Sequence, residues 1–166
     1  MDEFDLYEDD DISIADTYLT FSIDQEEYAI CVSYVTEIVR LQKIIEVPDV
    51  PGYIKGVINL RGKIIPVMDI RSRFGLNAVD YSDRTVIIVL ELADVLTGVA
   101  VDKVNDVTEL SADMIDPPPN YSRGTDSASV IKGIGKSGDH VYVLLDTETL
   151  LNQKEMTSRA LEAAAG

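Results

Sequence analysis

The sequence predicts a mainly β chain built from two similar small barrels. Three observations carry this expectation. Short apolar runs broken by turn residues recur along the chain, long helical periodicity is missing from its middle, and one stretch occurs twice. The first copy, Ile54–Asp69, reads IKGVINLRGKIIPVMD; the second, Ile131–Asp146, reads IKGIGKSGDHVYVLLD, at an offset of 77 residues. Each runs from Ile-Lys-Gly through an apolar strand to Asp, so each barrel is expected to hold one copy as a hairpin.

The elements follow in order. Leu19, Phe21 and Ile23 alternate with Thr20, Ser22 and Asp24, the period of a half-buried strand. Asp24-Gln25-Glu26 is a turn signal, and Glu27–Ile30 starts a second strand. Val32, Val35, Ile38 and Val39 recur at helical spacing, which predicts a short helix over 32–38. After Pro48 and Pro51, Ile54–Leu60 and Lys63–Met68 form a hairpin turned by Arg61-Gly62, with Pro66 implying an edge position or a bulge. Asp69 caps a short turn through Arg73 that Gly75 ends. Thr85–Leu92 suits a buried strand, and Leu96–Val104 and Val107–Leu110 follow as strands separated by Asp102-Lys103 and Asn105-Asp106. Ser111 starts a single capped turn that Pro117-Pro118-Pro119 stops, and residues 120–129 read as a polar loop. The second hairpin comes next, and residues 147–165 have the composition of a C-terminal helix.

Composition narrows the function. At 166 residues the chain is one domain or two small ones closely packed, and its 46% hydrophobic content suffices for a core. Fourteen basic against 30 acidic residues give −16, which excludes a nucleic-acid backbone or an anionic membrane as partner. Residues 1–16 hold eight of the acids and no base, and read as an acidic disordered tail. No apolar run nears the roughly 18 residues of a membrane span, so direct membrane insertion is not expected. The single cysteine, Cys31, forms no internal disulfide and fits a reducing cytoplasm. Against this acidity, Arg40, Lys43, Lys55, Arg61, Lys63, Arg71 and Arg73 face only Glu46, Asp49 and Asp69 between positions 40 and 73, a local +4. Such an island suits an acidic protein partner; exposed strand and loop charges are the plainer alternative.

Catalytic signals are thin. Gly133-Ile-Gly135-Lys136-Ser137 imitates a phosphate loop, but the required first glycine is Val130 and a strand follows where a helix should. His140 is the sole histidine, and one histidine with one cysteine makes no zinc cluster. A Cys31–His140 nucleophilic pair would keep open a small enzyme or ligand-binding barrel. Cys31, however, lies in an apolar run where a structural cysteine is the common outcome. No metal or other cofactor is expected, and non-enzyme is the default.

A resemblance enters with the runs Tyr18–Asp24, Glu27–Val32, Val35–Arg40, Pro51–Gly62, Pro66–Asp69 and Arg71–Phe74, then Gly98–Asp102, Val104–Val107 and the second hairpin. Together they are similar to the CheW family of chemotaxis coupling proteins, over about residues 17–155, with Ile54–Phe74 as the most specific segment. The resemblance implies two SH3-like five-stranded barrels around a shared core, about residues 17–80 and 81–150. It also implies a cytoplasmic adaptor, recruited to membrane-associated receptor arrays, that joins methyl-accepting receptor tips to the regulatory domain of the histidine kinase CheA. Family receptor-binding positions carry over to Arg61, Val35, Glu37, Gly98, Val99 and Val104, and kinase-coupling positions to Gly56 and Val107. Val35 and Val99 also suit ordinary core, Glu37 a solvated charge and Arg61 a turn facing water. The coupling half of a CheV-like protein and a detached CheA-like regulatory domain are related alternatives.

Overall fold

The computed structural model describes residues 16–77, 79–118 and 130–151. The expected acidic tail up to residue 15, the expected polar loop over 120–129 and the expected C-terminal helix beyond residue 151 lie outside them. Among the described residues the chain forms eleven strands and only short helical turns, as the mainly β expectation requires.

The strands fall into two compact units. The first, residues up to 34 and 104–147, holds the sheet β8 (Lys103–Glu109), β1 (Thr17–Ile23), β2 (Glu26–Cys31), β11 (His140–Leu145), β10 (Ile131–Ser137) and the two-residue β9 (Ile115–Asp116), in that order. Its core is Tyr18, Ala29, Leu110, Tyr142 and Leu144. The second, residues 35–103 and 148 onward, holds β3 (Val35–Arg40), β6 (Val86–Leu92), β7 (Val95–Val101), β5 (Lys63–Asp69) and β4 (Ile54–Leu60). Ile58, Leu60, Ile65, Val67, Ile87, Val89 and Ala100 form its core.

Each unit has one copy of the repeated hairpin, but the units are interleaved rather than split near residue 80. The cause is a parallel pairing of β2 with β11, Glu27↔Tyr142 through Ala29↔Leu144, which joins the two separate stretches of chain that make up the first unit. The sixth strand of the first sheet is the short β9, against five expected.

The predicted helix over 32–38 is instead a 3-10 turn, Val32–Tyr34, followed by β3. A bulge explains the misleading spacing. Val35 pairs with Leu90 and Glu37 with Val89, so Thr36 is the extra residue, its Oγ1 donating to the Val89 carbonyl at 3.2 Å. One inserted residue turns a period of two into an apparent period of three to four. Pro66 is likewise not at an edge: β5 is interior, but its pairing with β7 begins only at Val67↔Gly98, and the bulge lies opposite, in β4. The strand break expected at Asn105-Asp106 is absent. There the Asp106 N–H donates to Thr20 Oγ1, which donates back to the Asp106 carbonyl, both at 3.1 Å, and Asn105 Nδ2 donates to Ser22 Oγ at 2.8 Å.

The second unit closes where the segment after β3 meets β4. Ile45 and Val57 exchange both backbone hydrogen bonds at 2.8 Å. Gly56 makes this approach possible: its φ is +149°, and a Cβ there would stand 2.1 Å from the Ile45 carbonyl oxygen. Gly56→Ala should therefore lower unfolding stability by on the order of 3 kcal/mol in chemical denaturation. Gly52→Ala, with nothing within 4 Å of its Cβ, should change it by about 0.5 kcal/mol or less. Equal effects at the two sites would contradict the seam.

Candidate functional site

Arg61 sits at the tip of the β4–β5 hairpin. Arg61 and Gly62 have φ of 53° and 89°, the both-positive pattern of a two-residue turn that matches strand twist. Asn59 Oδ1 fixes it by accepting the Gly62 N–H at 2.8 Å. In the repeat, Arg61 aligns with Gly138, which has φ 62°. One hairpin thus places glycine in the left-handed region and the other forces an arginine there, at a cost of roughly 1 kcal/mol. The tip projects the guanidinium outward, and its side chain is 67% exposed.

The guanidinium meets another residue that the same resemblance named: Arg61 Nη2 donates to Glu37 Oε2 on β3. An exposed pair of this kind contributes only about 0–1 kcal/mol to folding, so it leaves both groups available to a partner. Val35, two residues from Glu37, is half-buried. The bulge at Thr36 pairs the two with adjacent residues of β6, which point to opposite faces.

The remaining positions divide by burial. Glu37, Val89, Gly98, Val67 and Gly56 form one continuous cross-strand row. Gly98 makes room for Ile87, whose Cγ2 would lie 2.7 Å from an added Cβ, and Gly56 makes room for Ile45. Both glycines act through backbone packing. Val99, 2% exposed, is core and cannot line a surface. Val104 and Val107 lie on β8 of the first unit, the former half-buried and the latter 54% exposed.

The basic window is smaller at the surface than in the sequence. Arg71 is buried and donates to Asp102 Oδ2 at 2.7 Å and Oδ1 at 3.3 Å. Arg73 is buried with its guanidinium 5.3 Å from the Tyr53 ring centre. Arg40, Lys43 and Lys63 stay exposed and, among the described residues, make no ion pair. Sequence reasoning missed their companions Ile38 and Ile64, 43% and 40% exposed. Plain alternation along β3 would have put Ile38 on the outside.

The enzyme alternative loses its geometry. Cys31 lies at the far end of β2 with Sγ 3.2 Å from Ser33 Oγ, whereas His140 Nδ1 lies 2.8 Å from Glu27 Oε1. Four strand residues separate Cys31 from Glu27, roughly 13 Å, so cysteine and histidine are not a nucleophile and its base. Gly133 and Gly135 give way to Asp116 and Leu110, which would stand 2.8 and 2.9 Å from added Cβ atoms; they cradle no phosphate. Lys136 is paired with Asp116 at 2.7 Å. Among the described residues no three His, Cys, Asp or Glu side chains group to hold a metal. A shallow groove of about 350 Å³, lined by Ile44, Glu46, Lys55, Val79, Asp80 and Tyr81, mixes both charges with apolar surface. Burial and the neighbouring Asp69 carboxylate push the Tyr81 phenol pKa up, so it is no general base near neutrality.

Comparison with known proteins agrees with this non-catalytic surface. The model of the CheW-like domain family matches residues 17–155. Chemotaxis protein CheW of Klebsiella aerogenes is 36% identical over 144 residues, covering 87% of this chain and 86% of its own length. Chemotaxis protein CheW of Bacillus subtilis is 33% identical over 155 residues, covering 93% and 98%. The crystal structure of the scaffolding protein TtCheW from Thermoanaerobacter tengcongensis superposes with a TM-score of 0.73 at 32% identity, covering 82% of this chain and 87% of that one.

Two outcomes follow from the geometry. Arg61→Gly relieves the left-handed arginine while losing the ion pair, so its stability should stay within about 1 kcal/mol of wild type. A larger loss would make Arg61 a structural residue. His140 has its pKa raised, first by the hydrogen bond it donates to the Glu27 carboxylate and then by that carboxylate's charge. Its contribution is therefore complete below the unfolded value of about 6.5 and fades as pH rises through the higher folded value. Melting temperatures of wild type and His140→Gln should differ more at about pH 6 than at alkaline pH, where they converge; a gap that widens as pH rises would refute this.

Proposed function

The chain belongs to the CheW family, and from that premise we propose that its exposed Arg61–Glu37 pair is a contact through which it docks the proteins it couples. The protein is a chemotaxis adaptor, a scaffold and not an enzyme. Its proposed partners are the cytoplasmic tips of methyl-accepting receptors and the regulatory domain of the histidine kinase CheA. The proposed location is the cytoplasmic face of receptor arrays; no helix among the described residues is long and apolar enough to cross a membrane.

The observation that carries this reading is an arginine held outward in a backbone conformation that favours glycine. Strain of this kind persists where the surrounding turn over-determines it, and it gathers at sites of function. A planar guanidinium with several donors can fork to a carboxylate or to the carbonyls that end a helix, which a lysine would do less well. Glu37 offers the opposite charge to a partner cation. Val35, half-buried, lies on the opposite face of β3 from Glu37 and does not extend this contact; on the first unit the family positions are Val107, exposed, and Val104, half-buried. Gly56, Gly98 and Val99 support the surface from within: substitutions there would disturb partner binding by shifting β3 and the hairpin, not by removing a contact.

The test is a charge swap in the full chain. Arg61→Glu should weaken binding to the receptor tip at least tenfold, or about 1.4 kcal/mol, with the melting temperature nearly unchanged. The double variant Arg61→Glu with Glu37→Arg should restore the internal pair and leave binding impaired. Unaltered partner binding and kinase stimulation in both variants would sink the proposal.

A further inference from the structure

We propose that Arg73, held against Tyr53 at the base of the β4–β5 hairpin, binds a small monocarboxylate. Arg73 ends the short helix Ile70–Arg73, which follows β5 directly, and it is only 8% exposed. Its guanidinium lies 5.3 Å from the centre of the Tyr53 ring, and its Nε is buried without an acceptor. Among the described residues Arg73 makes no ion pair. An arginine stays charged at any ordinary pH and is almost never buried unpaired. The ring face offsets only part of the cost of taking that charge out of water. The acid of its own helix, Asp69, stands at the N-cap, where Oδ2 accepts the Ser72 hydroxyl at 2.9 Å.

The internal repeat shows that the fold does not require a cation here. At the offset of 77 residues Tyr53 and Arg73 align with Val130 and Leu150, and both of those are fully buried. The same backbone bond closes both hairpin bases: the Asp69 N–H donates to the Tyr53 carbonyl and the Asp146 N–H to the Val130 carbonyl, each at 2.7 Å. The second copy fills the two positions with apolar side chains; the first fills them with an aromatic ring and an unpaired cation. The chemistry of the ligand follows from that cation. A planar guanidinium forks to a carboxylate through two N–H bonds, and the buried Nε supplies one of them. So little of Arg73 reaches solvent that only a small group fits over it. Asp69, about one helical turn away, opposes a second negative charge, which favours a monocarboxylate over phosphate. The seven residues of β4, roughly 20 Å, separate this base from Arg61 at the tip, so the site does not depend on the contact proposed above.

The test titrates the full chain with sodium acetate, in exchange for sodium chloride at constant ionic strength and neutral pH. The buried Nε–H is sheltered from exchange with water, so its nitrogen–proton NMR resonance can be followed. Arg73→Leu, which installs the residue of the second copy, identifies that resonance by its loss. Acetate should shift the resonance saturably and raise the folding constant, about tenfold at about nine times its dissociation constant. Phosphate, with its second charge near Asp69, should bind at least about tenfold more weakly. Arg73→Leu should abolish the stabilisation by acetate and, in chloride, be no less stable than wild type. No saturable shift overturns the proposal, as does phosphate binding as tight as that of acetate or stabilisation by acetate that survives Arg73→Leu. A loss of more than about tenfold in the folding constant of Arg73→Leu in chloride, with wild type blind to acetate, also overturns it: a carboxylate of the chain itself then pairs the cation.

Discussion

The second unit depends on how closely the Ile45 backbone can approach Gly56. Its five strands run from β3 at one end of the sheet to β4 at the other, and an open sheet of this kind leaves unpaired edges. The two 2.8 Å hydrogen bonds between Ile45 and Val57 join those ends through the backbone itself. Residues with a Cβ at position 56 would push them apart. The row Gly56–Val67–Gly98–Val89–Glu37 then carries the geometry of that seam across all five strands. Glu37 stands at its far end, where the tip of the hairpin that began near Gly56 comes back to meet it through Arg61.

The unit is thus fastened twice, by means of different strength. Paired backbone hydrogen bonds contribute about 0.5–1.5 kcal/mol each, and losing one would leave a buried donor or acceptor unsatisfied at further cost. The exposed ion pair contributes about 0–1 kcal/mol. The difference decides which contact can be given to a partner. The pair can open without opening the sheet, so Arg61 and Glu37 can exchange each other for a partner's charges while the strands that carry them stay in place. The opposite arrangement holds inside the unit, where Arg71 is buried and bound to Asp102 through both carboxylate oxygens. Breaking that part-buried, charge-assisted pair costs more than opening an exposed one, so it is unsuited to exchange.

Local features of this fold were legible, and long-range ones were not. The two hairpins could be read because residues a few positions apart declare a turn, and Ile54–Leu60 with Lys63–Asp69 is observed as β4 and β5. Interleaving could not be read, because nothing in the alternation of β2 says that its neighbour is β11, more than a hundred residues away. The bulge at Thr36 hid in plain view: a single inserted residue gave β3 the spacing of a helix. In the site, Arg61 and Glu37 were each named through family resemblance, but their pairing needed the closure of the sheet. Val99 suited both a lining position and ordinary core, because an apolar residue in a strand declares that one face is buried and does not say which; its 2% exposure puts it in the core.

Charge tells the same story in quantitative form. The sequence shows a local excess of +4 between positions 40 and 73, but Arg71 is neutralised by Asp102 and Arg73 is buried against Tyr53. What reaches solvent is set by which cations the core does not need, and those are Arg40, Lys43, Lys63, the half-buried Lys55 and the half-committed Arg61. At physiological ionic strength charges are screened beyond about 8 Å. Exposed cations such as Arg61 and Lys63 at the hairpin tip therefore act on a docked partner locally, although the chain as a whole is strongly acidic. Net charge decides which partners are repelled at long range; the side chains that the core leaves at the surface decide where the permitted one docks.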